Sequence, residues 1–125
     1  MNLNSDKKYT SLSYLHSISK GNTVFEQKML TTFIAQAGSD LKNLKQALLQ
    51  KDWETIHLIA HKLKPSLQFV GLDAIHGDVL SLELYAKQKA NIDKTAELVS
   101  TISTIMELAI EEIKEELIAV DQKVN

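Results

Sequence analysis

The chain has 125 residues, 44% hydrophobic and 24% charged, with a formal net charge of −2 at pH 7. That length suits one domain able to bury its own core. The absence of cysteine excludes disulfides and thiolate metal sites. One proline and four glycines are too few for a loop-rich all-β fold. Acidic and basic residues are interleaved, with no basic stripe to track a phosphate backbone, so nucleic acid is not an expected partner. The polar opening, Met1 to Thr10, has no apolar secretory core. No apolar run approaches the ~20 residues of a membrane span. The expectation is a cytoplasmic protein without membrane contact, flexible over residues 1–10 and folded as one domain over residues 11–120.

In chain order, nearly every segment carries a helical period. Leu12, Leu15 and Ile18 predict a short helix from Ser11 to Ser19, stopped by Gly21. Thr23-x-x-Glu26 has the form of a capping box. A long apolar series follows: Leu30, Ile34, Ala37, Leu41, Leu44 and Leu48. Its phase survives Gly38, which predicts one long helix, kinked or unkinked there; Ser39 and Asp40 could instead cap a second helix after a break. Asp52 is the expected N-cap of the next helix, whose apolar face is Trp53, Ile56, Ala60, Leu63, Leu67 and Val70, with Gly71 ending it. Leu72, Ile75, Val79, Leu82 and Ala86 predict another helix. Gly77 lies inside it at a cost of about 1 kcal/mol relative to Ala, which a close helix–helix approach would explain. A last helix starting near Asn91 or Asp93 carries Val99, Ile102, Met106, Ala109, Ile113, Leu117 and Val120. Four long amphipathic helices with short connections bury their stripes most simply as an all-α, antiparallel four-helix bundle, with the short first helix covering one end or side.

The chemically informative stretch is Ala60-His61-Lys62-Leu63-Lys64-Pro65-Ser66. Its core face is set by Ile56, Ala60, Leu63 and Leu67. At about 100° per residue, His61 lies off that face, on the side shared by His57, Lys64, Pro65 and Gln68. An imidazole held to solvent on a rigid helix, with an ammonium one turn away, suits a phosphoryl carrier. A neutral ring nitrogen attacks phosphorus without a base, and Lys64 can neutralise part of the dianionic product. The ring also needs an acceptor for its non-reacting nitrogen; Glu83, on the neighbouring helix, is the candidate. Pro65 removes the i+4 donor of the His61 carbonyl, a costly choice in a purely structural helix. Read one at a time, each residue has a plainer meaning: His61 and Lys64 as a solvated surface, Glu83 as a helix charge, Pro65 as a kink.

Taken together, Ala60-His61-Lys62-Leu63-Lys64-Pro65-Ser66, Val70-Gly71 and Leu82-Glu83 resemble the signature of histidine-containing phosphotransfer domains. Tyr14-Leu15, Ile18-Ser19-Lys20-Gly21-Asn22, Phe25, Met29-Leu30, Phe33 and Asp52-Trp53 extend the likeness, which covers most of the chain, about Leu12 to Leu117. The resemblance implies that His61 accepts the phosphoryl group, that Lys64 pairs with it, and that Glu83 touches the imidazole. It also makes Ser66 the small polar neighbour and Gly71 the closing glycine. Pro65 departs from the family pattern, which has Gly or another small residue there. His57, Pro65, Ser66 and Gln68 form the expected docking face. The implied partners are response-regulator receiver domains, including that of a hybrid histidine kinase. No cofactor is implied, the Mg²⁺ coming from the receiver. Two rivals stay open: a four-helix interaction module without phosphoryl chemistry, and a metal-binding bundle built on His57-x3-His61 and Glu83. His16 and His76 have no supporting constellation in the sequence.

Overall fold

The structure is a computed structural model that describes residues 9–124, with side chains as far as residue 119. It is a helical bundle of five α-helices: α1 (Ser13–Ser19), α2 (Thr23–Leu49), α3 (Trp53–Phe69), α4 (His76–Gln88) and α5 (Ile92–Val124). A 3-10 turn, Asp73–Ile75, leads into α4. No strand occurs among the described residues, and no helix there is long and apolar enough to cross a membrane. Helix α2 packs on α3 and α5, and α4 packs on both α3 and α5. The four long helices thus close a ring around one core, and α1 lies against α2 and α3.

The predicted apolar stripes supply that core. Leu44, Ile56, Ala60, Leu63, Val79, Leu82, Ile102, Met106 and Ile113 are completely buried, and each such Leu or Ile contributes roughly 1.5–3 kcal/mol. The seams slip at a few places. Ile18 faces solvent while Ser19 is buried, because a seven-residue step returns to the face of Leu12 and a six-residue step does not. Ile34 and Leu48 are only half-buried, and Phe33 and Ala47 take the core positions beside them. Val120 lies in α5, but its side chain falls outside the described residues, as do residues 1–8 of the segment expected to be flexible. Tyr9 and Thr10 are fastened: their N–H groups and the Thr10 hydroxyl donate to the Glu112 carboxylate at 2.7–3.3 Å.

The helix ends follow capping chemistry, not always at the expected residue. Asn22, one position before Thr23, caps α2, its side chain accepting from the Phe25 N–H at 2.9 Å. Glu26 is therefore not half of a capping box. It is buried and accepts from the Ser19 hydroxyl and from His16 Nδ1, which fastens α1 to α2 and gives His16 a structural partner. Asp52 caps α3 as expected, taking the Thr55 N–H at 3.2 Å and the Thr55 hydroxyl at 2.7 Å. These two bonds hold its carboxyl below the usual carboxylate range, the hydroxyl being the stronger influence. Helix α2 runs unbroken through Gly38, and Asp40 is no cap. It is buried, with Gln36 and Lys62 on its carboxylate.

The glycines separate into two kinds. Gly71 has φ +62, and a Cβ there would strike the Ser11 backbone, which donates its N–H to the Val70 carbonyl at 2.8 Å. Gly77 was expected to mark a close helix approach, but nothing comes within 4 Å of where its Cβ would sit, and the same holds for Gly38. Gly71→Ala is therefore expected to lose about 1–3 kcal/mol, through the left-handed backbone and the collision. Gly38→Ala, in the middle of α2, is expected to gain about 0.5–1 kcal/mol. Urea unfolding of the two variants checks both signs; a neutral Gly71→Ala would mean that Ser11 yields freely.

Candidate functional site

Helix α3 places His61 one residue beyond the buried Ala60, so its ring points outward, with the side chain 67% exposed. The ring is not loose. Its Nδ1 lies 2.7 Å from Glu83 Oε2 on α4. Lys64, one turn along α3, places its Nζ 2.8 Å from the other oxygen, Glu83 Oε1. One carboxylate thus fixes both groups that the sequence singled out. Lys64 is less free than expected: its side chain is 28% exposed and ion-paired rather than reaching into solvent.

Electrostatics assign the tautomer. Glu83 is held below the usual carboxylate range, first by the hydrogen bond from Lys64 and then, against the opposing effect of burial, by the bond from His61. An ionised carboxylate only accepts hydrogen bonds, so Nδ1 must carry the proton. In the neutral ring the lone pair is then on Nε2, on the side away from Glu83.

The remaining predicted residues divide. Pro65 and Gln68 join His61 and Lys64 in the wall of a groove of about 500 Å³ between α3 and the start of α4, closed by Leu67, Leu72, Asp73 and His76. Ser66 is not in that groove. It lines a smaller apolar crevice with Leu15, Phe33 and Phe69 on the α1–α2 side, as its position about 140° around α3 from His61 requires. His57, half-buried one turn before His61, is not a wall of the groove either. Helix α3 continues through Pro65, which is exposed. Asp73 is a groove residue that sequence reasoning missed, and His76 is another. The available signal was its spacing, two turns before Glu83 on the same side of α4. Among the described residues, no three of His, Asp and Glu gather into a group able to hold a metal ion.

A helical bundle presenting an oriented, solvent-facing imidazole, with a carboxylate behind it and an ammonium beside it, defines a histidine-bearing carrier or docking domain. The chain matches the Hpt domain family over residues 28–123 and belongs to it, which assigns it a histidine phosphotransfer role in phosphorelay. No curated protein and no solved structure gives a comparable match.

Proposed function

We propose that this protein is a cytoplasmic phosphorelay intermediate, an antiparallel four-helix bundle that accepts a phosphoryl group on His61 and passes it on. The donor is the phospho-aspartate of a response-regulator receiver domain, such as that of a hybrid histidine kinase, and the acceptor is the aspartate of a second receiver. The packing of α2, α3, α4 and α5 in a ring, with consecutive helices adjacent, supports the bundle reading. The observation that carries the chemistry is the sharing of the Glu83 carboxylate by His61 Nδ1 and Lys64 Nζ.

On this reading Nε2 attacks the phosphorus in line. A nitrogen–phosphorus bond forms, the bond from phosphorus to the aspartyl oxygen breaks, and the receiver's carboxylate leaves with the electron pair. The Nδ1 proton stays in place, and Glu83 stabilises the cationic ring that develops. Lys64 supplies charge to the phosphoryl oxygens. The Mg²⁺ required belongs to the receiver, and this chain contributes a positioned nucleophile. Pro65 and Gln68 stand where a docked receiver would touch α3, with His57 one turn back along the same side and Ser66 further round the helix.

The test is incubation with an isolated receiver domain charged by acetyl phosphate in Mg²⁺. One label per chain is expected, labile in acid and stable in base, as a phosphoramidate is. An acid-stable label, or none from any receiver, would reject the carrier role and leave the interaction module standing.

A further inference from the structure

Helix α4 does more than its core-facing residues require. Val79, Leu82 and Ala86 are buried and satisfy the bundle, yet Leu80 and Leu84 are 43% and 53% exposed. A helix that is apolar on its outer side as well as its inner one ordinarily has something to cover it. These two leucines stand one turn apart on either side of Glu83, the residue that holds His61. Around the α4 axis, both continue outward from Glu83, away from the core.

We infer that the outer ridge of α4, Leu80 and Leu84, is part of the surface on which the receiver docks and sets how tightly it does so. This rests on the carrier role proposed above. The argument for the occupant is one of reach. A receiver must bring its aspartyl phosphate into contact with His61 Nε2. A specific interface covers about 800 Å² on each partner, a patch some 16 Å in radius if round. The Glu83 carboxylate is 2.7 Å from the His61 ring, and packed helices lie only about 8–10 Å apart. A patch of that size built around His61 takes in the residues flanking Glu83. The groove walled by His61, Lys64, Gln68 and His76 lies between α3 and the start of α4, so a partner that fills it comes to rest against α4 as well. The reacting pair is polar and the leucines beside it are not, the division expected of a docking patch whose apolar anchors adjoin its chemistry.

The experiment measures phosphotransfer from an acetyl-phosphate-charged receiver as a function of this protein's concentration. The double variant Leu80→Ser/Leu84→Ser is expected to raise KM about tenfold while the rate at saturation stays within twofold of the unchanged protein. Val24→Ser and Leu49→Ser, at exposed positions elsewhere on α2, should leave KM unchanged. Leu84→Lys alone, at the more exposed position, should raise KM with the same saturating rate and guards against a folding defect in the double variant. Full labelling of His61 with an unaltered KM in both α4 variants would overturn the inference and leave the carrier role intact. Conversion of a dimer to a monomer on sedimentation, with KM unaltered, would overturn it in favour of a second copy on this face. Failure of every receiver to label the unchanged protein would remove both readings.

Discussion

His61→Gln is expected to abolish phosphoryl labelling completely while leaving far-ultraviolet circular dichroism and melting temperature close to those of the unchanged protein. The side chain is 67% exposed and gives up one surface hydrogen bond to Glu83, so the fold loses little. The chemistry loses everything, because an amide has no nucleophilic ring nitrogen. His57→Gln and His76→Gln are the informative controls, since one lies a turn from His61 and the other shares its groove. Both should still be labelled. Full labelling of His61→Gln would move the acceptor elsewhere, with His76 the first place to look.

Glu83→Ala should produce the second-largest effect. It removes the acceptor of His61 Nδ1 and the counter-ion of Lys64 in one step. Loss of an orienting charged hydrogen bond is worth about 1.5–3 kcal/mol, which corresponds to a roughly ten- to hundredfold slower transfer. Without the carboxylate, ¹⁵N shifts of the His61 ring should show its proton leaving Nδ1 for Nε2, the tautomer in which the reactive nitrogen is blocked. Glu83→Gln keeps an acceptor and should be milder. An unchanged tautomer together with an unchanged rate in Glu83→Ala would reduce Glu83 to an ordinary helix charge. The pH dependence follows from the same carboxylate. Its folded pKa is depressed, chiefly by Lys64. The linked stability is therefore present above the unfolded carboxylate pKa and lost as pH falls through the lower, folded one. Glu83→Gln should flatten that acid limb.

Much of this was legible in the sequence because helices are regular. The outward direction of His61 follows from its position among Ile56, Ala60, Leu63 and Leu67, and the capping role of Asp52 follows from its place before Trp53. Glu83 was legible as a partner because short connections bring successive helices side by side. What the sequence withheld depends on reach and on turns. Lys64 has a long flexible stem, and no periodicity tells whether its ammonium stays in water or folds back onto Glu83. His76 joins the groove because Gly71 turns the chain at positive φ and a 3-10 turn then sets the start of α4. That path is not encoded in an apolar pattern. Asn22 took the cap from Thr23 because either side chain could accept the bond, and a one-residue shift in the helix start decides between them. Ser66 was legible too: five residues beyond His61 is about 140° round the helix, which puts it in the neighbouring crevice and not in the groove.

The shared carboxylate has a consequence for how long the cargo is held. In the resting site one carboxylate faces one ammonium and the Nδ1 side of one imidazole. A phosphoryl group on Nε2 leaves a positive ring beside Glu83 and places about two negative charges on the phosphoryl oxygens, a net gain of about one negative charge, and Lys64 cannot serve Glu83 and the newcomer fully at once. On the proposed role, the carboxylate that aims the nucleophile and steadies the positive ring also competes with the phosphoryl group for Lys64, and that competition biases the loaded state toward departure. Orientation and eviction are then properties of one residue. Glu83→Gln separates them: it should shift the equilibrium with a charged receiver toward phospho-His61 and lengthen its lifetime, even as the forward rate falls slightly. An equilibrium unmoved by that substitution would show that Lys64 satisfies both anions.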